Sequence, residues 1–362
     1  MHFILFTAAS AATLNVGSGA TYSSIGSAVA AASDGDTIQV AAGTYAESVD
    51  LAGKDLAIIG VGSTTIVEPS GDYAFRFDDG EAGSVQDLLI DAGTARAFYI
   101  EGSSPSISGI EVQNLDVGSQ KGGVAYVDGG SPSFTDIDAD APSAIWGAGF
   151  YIIGGADVSL TEVVLDSPNA GGQGGGIYAD SSTLSLDTVS INDPVALRRG
   201  AGMYLSAVIL TAVDVEIYGA RNDSYGAGLY IEDYSQITWT DGGITDCQDS
   251  VSTRSDGGGI YADSGSQLDF SGTEFSDNLA GRGAHIFLDA ATLSMDGVTL
   301  NSGESEKQGG ALYLEGASTA NCVGCTFDSN LGGTDGGAVY LVSGTDFSDS
   351  GSLFDGNEAS GE

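Results

Sequence analysis

One short motif recurs along most of this 362-residue chain. It reads Gly-Gly-Gly-Ile-Tyr at 174–178. Ten copies, some looser than others, end in an aromatic residue: Tyr99, Tyr126, Tyr151, Tyr178, Tyr204, Tyr230, Tyr261, Phe287, Tyr313 and Tyr340. Successive aromatic positions differ by 27, 25, 27, 26, 26, 31, 26, 26 and 27. A fixed period of this size indicates a solenoid, in which each repeat buries its apolar face against its neighbours.

The apolar residues within one repeat divide it into short strands. Ile177 and Ala179 flank Tyr178, so they point into the core while the tyrosine points out. A second inward pair follows six to nine residues later, and a third follows at eleven to fourteen. The sequence therefore predicts an all-β parallel β-helix of about 12 coils, each of about 26 residues with three short strands.

The N-terminal region predicts a cap for this solenoid. Ile25, Ala28, Val29 and Ala32 fall at helical spacing, and a short helix over about 22–32, N-capped by Ser23 or Ser24, would cover the first open coil. Residues 1–12 resemble the second half of a secretory signal without its basic region. We expect one β-helix domain over 13–362, regular over about 95–362 and continuing beyond the C-terminus, in an exported protein located outside the cell or on its surface.

The charge balance limits the partners of this chain. Ten basic and fifty acidic residues give a formal net charge of −40. Nucleic acid is excluded as a partner because phosphate binding requires clustered Lys and Arg. Polyanionic sugars would also be repelled unless a divalent cation bridged them. No apolar run approaches the length of about 20 residues that spans a bilayer.

The first coils resemble the pectate-lyase-like superfamily of right-handed parallel β-helices. The resemblance is carried by Asp36-Thr-Ile-Gln-Val40, Gly43-Thr-Tyr-Ala-Glu47 and Leu56-Ala-Ile-Ile-Gly60. It implies a right-handed fold but no particular chemistry, because enzymes and non-enzymes share it. The catalytic motifs of pectin methylesterases, polygalacturonases and pectate lyases have no match in this sequence.

The later coils resemble the repeats of chlamydial polymorphic outer-membrane proteins. These coils combine the glycine motif with Phe275-Ser-Asp-Asn278, Phe327-Asp-Ser-Asn330 and Phe354-Asp-Gly-Asn357. The resemblance implies a passenger domain displayed on the cell surface and involved in adhesion.

The outward tyrosines are the first candidate for a ligand-binding surface. An acidic residue follows the aromatic residue by two positions in seven of the ten coils, which places both on one face. The predicted stripe comprises Tyr99, Tyr126, Tyr151, Tyr178, Tyr204, Tyr230, Tyr261, Tyr313 and Tyr340 with Asp180, Glu232, Asp263 and Glu315. Such a stripe could stack sugar rings and accept their hydroxyl hydrogen bonds. The alternative is a structural tyrosine stack.

Eight of the ten basic residues lie three to nine positions before a motif aromatic, in one turn of the coil. The candidate site residues in this basic turn are Arg198, Arg199, Arg221, Arg254 and Arg282. A polysaccharide lyase would need such cations and an Arg or Lys base. The alternative is local charge balancing, since the same turns carry acidic residues.

Three further groups of residues have a candidate chemistry. Asp136, Asp138 and Asp140 alternate along a strand and could supply oxygen ligands to Ca²⁺, the only cofactor the sequence suggests. Cys322 and Cys325 fall at inward positions and are expected to be buried core thiols. His285 lacks a nucleophile motif that would complete a catalytic triad.

The regularity of the coils decides the leading functional hypothesis. Because no coil interrupts the repeat with an evident catalytic cluster, we expect a non-catalytic scaffold for adhesion or extracellular binding of a glycan or a cell-surface protein. The alternative is a polysaccharide lyase or glycoside hydrolase of the pectate-lyase-like fold. A second alternative is a passive structural stalk.

Overall fold

The computed structural model describes residues 11–249 and 255–361. The described chain is a right-handed parallel β-solenoid of about 13 turns, which confirms the predicted fold class. Three parallel sheets of twelve, twenty and nine strands run along the rod. Most of the predicted signal segment at 1–12 lies outside the described residues. Arg254 of the predicted basic turn also lies outside them.

The helix Ile25–Ala31 caps the first coils as predicted. The side chain of Ser24 accepts a hydrogen bond from the Ser27 amide, and the Glu47 carboxylate accepts hydrogen bonds from the Ile25 and Gly26 amides at 2.6 and 2.8 Å. A carboxylate at this end is favourable because the first amides of a helix have no partner within it. Ile25, Ala28 and Val29 are buried, so the apolar face closes the core.

The tyrosine sheet contains the motif aromatic residues. Each strand places its aromatic residue in register with the next, as in Tyr178↔Tyr204 and Tyr204↔Tyr230. The twelve strands are Val49–Asp50, Tyr73–Phe77, Arg96–Glu101, Ala125–Asp128, Phe150–Ile153, Ile177–Asp180, Met203–Ser206, Leu229–Glu232, Ile260–Asp263, Ile286–Asp289, Leu312–Glu315 and Val339–Leu341.

The bent sheet contains both of the other predicted inward pairs. Its strands turn a corner at a residue in the left-handed conformation, such as Thr188 with φ 56°. The twenty strands are Thr13–Val16, Thr37–Val40, Gly43–Tyr45, Ala57–Val67, Ser84–Gly93, Ser106–Leu115, Ser133–Asp140, Asp157–Asp166, Thr183–Asn192, Ile209–Tyr218, Gln236–Thr240, Gly243–Thr245, Gln267–Ser271, Glu274–Ser276, Thr292–Asp296, Thr299–Asn301, Thr319–Val323, Thr326–Asp328, Asp346–Ser350 and Leu353–Asp355.

The short sheet is the element that the sequence did not predict. Seven of its nine strands have only two residues, and a strand of two residues has no periodicity to detect. The nine strands are Ser143–Ala144, Asn169–Ala170, Val195–Ala196, Arg221–Asn222, Gln248–Asp249, Leu279–Arg282, Glu304–Gln308, Leu331–Gly332 and Glu358–Ala359.

A single apolar core runs through the described coils from Leu14 to Ala338. Cys322 and Cys325 are buried as predicted, but they form a disulfide with each other, so the expectation of free thiols is wrong. Cys247 is a buried free thiol. Within the described residues, no helix is long and apolar enough to cross a membrane.

Candidate active site

The motif aromatics form one continuous column of ten stacked rings, from Tyr99 to Tyr340. Neighbouring ring centroids lie 4.8–5.6 Å apart, and neighbouring planes differ by no more than 20°. In-register parallel strands produce this geometry, because each rung repeats at about 4.8 Å. The faces of the inner rings are therefore occupied by neighbouring rings, and sugars cannot stack on them.

The basic turn covers much of this column. The Arg199 guanidinium lies 4.6 Å from the centroid of the Tyr230 ring, and Arg282 lies 4.6 Å from that of Tyr313. Tyr230 is only 2% exposed. The predicted stripe was expected to be an open surface, and this expectation is wrong for the five tyrosines that are buried: Tyr151, Tyr178, Tyr204, Tyr230 and Tyr313. The remaining four are partly exposed: Tyr99, Tyr126, Tyr261 and Tyr340.

The predicted basic residues do not form one surface. Arg199 and Arg282 lie over the tyrosine column, whereas Arg198 is exposed beside it. Arg221 lies in the fourth strand of the short sheet and pairs with Asp246 at 2.8 Å. The contacts of these cations therefore differ from one coil to the next.

The predicted acidic residues come together in a carboxylate column, which we define as Glu232, Asp263, Asp289 and Glu315. The strand register pairs Asp263 with Asp289 and Asp289 with Glu315, and Glu232 lies one rung before Asp263. Neighbouring members are thus about 4.8 Å apart along the rod. Asp180 is separated from this column by Ser206, which occupies the intervening rung.

Asp263 has the most unusual environment in the carboxylate column. Burial raises the pKa of the Asp263 carboxyl, and the neighbouring charges of Glu232 and Asp289 act in the same direction. Its Oδ2 atom accepts a hydrogen bond from the Tyr230 hydroxyl at 3.3 Å. Its Oδ1 atom is buried and has no hydrogen-bond partner in the described part of the chain. Burial and the two like charges favour the protonated form of this carboxyl group, whereas the hydrogen bond from the Tyr230 hydroxyl favours the ionised form.

Glu232 lies beside Asp263 in a different environment. Its carboxylate accepts a hydrogen bond from the Tyr204 hydroxyl and lies 3.5 Å from the Arg199 guanidinium. Asp263 and Glu232 are therefore adjacent carboxyl groups with different surroundings, and pairs of carboxyl groups in different environments are a usual basis of acid–base catalysis.

A buried ion pair borders the carboxylate column. Arg282 donates to both oxygens of Asp256 at 2.9 and 2.7 Å, and Asp256 is 4% exposed. Arg282 also donates to the Tyr313 hydroxyl at 3.0 Å and to Glu315 at 3.1 Å. Arg282 therefore joins the basic turn to the end of the carboxylate column. The sequence placed both Arg282 and Asp256 in the basic turns, and this pair is an instance of the local charge balancing given there as the alternative.

A cleft of about 230 Å³ lies at the other end of the tyrosine column. It is lined by Asp72, Tyr73, Arg76, Arg96 and Tyr99, and we call it the end cleft. Arg76 occupies the register position of a motif tyrosine, opposite Tyr99. Burial lowers the pKa of Arg96, whereas burial and the Glu101 carboxylate raise the pKa of Tyr99 to about 12.

Comparison with known proteins identifies the family. A sequence profile of the right-handed β-helix region matches residues 143–359, which is more than half of the chain. The chain belongs to the right-handed β-helix family. A search of curated protein sequences finds no match to this β-helix protein.

Solved structures share this fold at low sequence identity. The catalytic domain of a GH87 α-1,3-glucanase variant in complex with nigerose has a TM-score of 0.51 and 11% identity, with 91% of this chain and 68% of that chain covered. A second variant of such a domain has a TM-score of 0.47 and 11% identity, over 85% and 64% of the two chains. The A-module of a mannuronan C-5 epimerase from Azotobacter vinelandii has a TM-score of 0.36 and 15% identity, over 93% of each chain.

The leading hypothesis from the sequence requires correction at this point. We expected a non-catalytic adhesion scaffold, but a solved structure that shares this fold at a TM-score of 0.51 is the catalytic domain of an α-1,3-glucanase. The absence of an evident catalytic cluster supported the wrong hypothesis. The structure brings Glu232, Asp263 and Asp289 together from three coils that are separated by about 30 residues in sequence.

The predicted calcium ligands do not converge in the β-helix. Asp136 adopts the left-handed conformation, with φ 55°, and forms the corner of the bent sheet, so the three aspartates do not line one face. Among the described residues, the carboxylates that gather within 4.8 Å of one another are instead Asp78, Asp79 and Glu81. Glu81 accepts hydrogen bonds from the Gly53 and Asp79 amides, so this cluster stabilises a turn. Calcium binding by Asp138 or Asp140 stays a prediction.

Proposed function

We propose that this β-helix protein is a glycoside hydrolase that cleaves a neutral polysaccharide at the carboxylate column. The observation that carries the proposal is the environment of Asp263. Its carboxyl group is partly buried, has a raised pKa and lies one rung from two other carboxyl groups. Glycoside hydrolysis uses a protonated carboxylic acid and an ionised carboxylate on either side of the scissile bond.

Each residue has a distinct role in this mechanism. Asp263 donates its proton to the glycosidic oxygen, and Glu232 attacks the anomeric carbon as the sugar leaving group departs. Asp263 then accepts a proton from the water that hydrolyses the glycosyl–Glu232 ester and so regains its starting state. A carboxylate nucleophile predicts that the product initially retains the anomeric configuration.

The charge of the protein favours a neutral substrate. With a net charge of −40, and with Glu232, Asp263, Asp289 and Glu315 in one column, a polyuronate would be repelled. α-1,3-Glucan is the first polymer to test, since the glucanase domain shares the fold at a TM-score of 0.51. A polysaccharide substrate also agrees with the location outside the cell or on its surface that we proposed from residues 1–12.

The first test is an activity survey. The purified chain is incubated with α- and β-linked glucans, mannan and xylan, and new reducing ends are measured. We expect cleavage of at least one of these neutral polymers, and a product that initially retains the anomeric configuration when followed by ¹H NMR. Lack of activity on every neutral polymer would refute the proposal.

The end cleft supports a second candidate function, that of a polysaccharide lyase. The observation that favours it is the contact between Arg96 and Tyr99, in which the Arg96 guanidinium lies 5.9 Å from the centroid of the Tyr99 ring. Burial lowers the pKa of Arg96, and the Tyr99 hydroxyl keeps its proton. A β-elimination needs a cation beside the uronate carboxylate, a base and a proton donor. Ultraviolet absorbance of unsaturated products from uronate polymers would detect this activity, and Arg96→Ala should abolish it. No absorbance change on any uronate polymer would exclude it.

A further inference from the structure

An exposed tyrosine in an unfavourable backbone conformation marks a second surface of the molecule. Tyr234 has φ 60°, a left-handed conformation that a bulky side chain rarely adopts. Its side chain is nonetheless 76% exposed, so burial in the core does not compensate for the strain. In the next coil the same position is occupied by Gly265, and a Cβ atom there would lie 2.7 Å from the Tyr234 ring. The ring lies against the backbone of Gly265, and Ala317 has the same left-handed conformation (φ 65°) at the corresponding position, so the corner of the coil accounts for the backbone conformation and the exposed aromatic ring is what sets Tyr234 apart.

A polar groove begins two residues after Tyr234, on the bent sheet. It encloses about 300 Å³ and extends over three successive coils. Its two rows of outward side chains are in register along the rod: Gln236, Gln267 and Thr292 in one row, and Thr238, Asp269 and Ser294 in the other. Within the described residues, the side-chain amides of Gln236 and Gln267 take part in no hydrogen bond, so their donors and acceptors are available to a ligand.

The chemistry of this groove identifies the class of ligand. Amide and hydroxyl groups can both donate to and accept from sugar hydroxyls, and the exposed face of an aromatic ring packs on the C–H face of a sugar. The lining contains one carboxylate, Asp269, and no cation, which disfavours an anionic polymer. The rows repeat at about 4.8 Å, so the groove offers polar side chains at a regular spacing to successive units of an extended chain.

We infer that Tyr234 and the groove from Gln236 to Ser294 bind a neutral glycan chain, at a site separate from the carboxylate column. Glu232 lies on the tyrosine sheet, and Tyr234 lies past the corner at the edge of the bent sheet. A polymer held in the groove is thereby anchored next to the proposed catalytic residues. The binding itself does not depend on hydrolysis, so it is open to test whether or not the proposed function is correct.

The experiment uses the full chain with Asp263→Asn, so that hydrolysis cannot consume the probe. Migration is compared in native gels that contain α-glucan, β-glucan, mannan, xylan or, as an anionic comparison, polygalacturonate. We expect at least one neutral glycan to retard the protein, and polygalacturonate to leave its migration unchanged.

Three further variants test the role of Tyr234. Tyr234→Gly introduces the residue that the next coil already uses, so folding is preserved and Tm stays the same or rises, while affinity falls at least tenfold. A double change, Gln236→Ala with Gln267→Ala, should weaken binding by a similar factor. Tyr218→Ala removes another tyrosine, 50% exposed, from the same sheet and should leave affinity unchanged. Unchanged binding by Tyr234→Gly, an equal loss in Tyr218→Ala, or no retardation by any neutral glycan would overturn the inference.

Discussion

The imidazole of His285 fills the space that Gly303 leaves in the core. Asn278, Asn330 and Asn357 occupy the same position in their coils, where the side chain of each bonds to backbone groups of the preceding coil. Gly303 takes this position in the coil between Asn278 and Asn330, and a Cβ atom there would lie 2.5 Å from His285 Nε2. The ring bridges the gap, with Nδ1 2.9 Å from Asn278 Nδ2 and Nε2 3.0 Å from Asn330 Oδ1.

This arrangement predicts that His285 makes stability depend on pH. The Asn278 amide donates to Nδ1, so the neutral ring with a proton on Nε2 satisfies both contacts. Burial lowers the pKa of His285 from 6.5 to about 4. Between about pH 4 and pH 6.5, His285 therefore binds a proton in the unfolded chain but not in the folded chain. The neutral ring makes its full contribution to the free energy of unfolding above about pH 6.5. This contribution, about 3 kcal/mol in total, is lost as the pH falls towards 4.

Urea unfolding at pH 7 and pH 4.5 measures this effect. His285→Gln keeps hydrogen-bonding capacity but cannot titrate, so its stability should fall less than that of the wild type over this interval. Equal losses in the two proteins would show that His285 does not account for the pH dependence.

The tyrosine column predicts that ring stacking matters more than the hydroxyl groups. Phe287 already occupies one position and stacks at 5.1 and 4.9 Å on its neighbours. Tyr204→Phe removes the hydrogen bond to Glu232 and should cost about 1–3 kcal/mol. Tyr204→Ala also leaves a cavity between two rings and should cost about 3–5 kcal/mol. Urea titrations of both variants test this order, and equal costs would contradict it.

The fold could be predicted from the sequence because its signal repeats. Each coil repeats the pattern around the motif tyrosine, so ten weak signals support one register. The corner at Thr188 and the strand Ser143–Ala144 lack such a signal, because a left-handed residue other than glycine and a two-residue strand have no sequence pattern. For the same reason, the second and third predicted strands could not be recognised as one bent sheet.

The candidate site was only partly predictable. The sequence placed Glu232 and Asp263 on one outward face, because their spacing from the tyrosines is constant. It could not show that Asp263 is partly buried and that the charges of Glu232 and Asp289 raise its pKa, since this depends on how the coils pack. The contact of Arg199 with the Tyr230 ring and the position of Asp256 also arise from three-dimensional packing.

Arg282 should be essential to stability, whereas Arg198 should not. Removing Arg282 leaves the Asp256 carboxylate buried without its partner, which typically costs about 3–5 kcal/mol. Arg198 is exposed, and its loss should change stability by no more than about 0.5 kcal/mol. Thermal unfolding of Arg282→Ala and Arg198→Ala compares the two, and similar Tm values would contradict the assignment.

The proposed mechanism predicts the pH dependence of catalysis. Asp263 must be protonated to act as the acid, and its pKa lies above the ordinary 3.8 because of burial. Activity should therefore fall as the pH rises through the pKa of Asp263. This alkaline limb of the pH–activity profile should lie at a higher pH than it would for an aspartate with an ordinary pKa. Asp263→Asn should remove the limb from the residual activity. A limb that persists in Asp263→Asn would assign the acid to another residue.

The most direct measurement is the rate of reducing-end release by three proteins on the same neutral glycan. Asp263→Asn removes the proposed acid, and Asp187→Asn removes an exposed carboxylate on the bent sheet as a matched control. We expect the wild type and Asp187→Asn to be equally active, and Asp263→Asn to be slower by about 10²–10⁴-fold. Wild-type activity in Asp263→Asn would contradict the account.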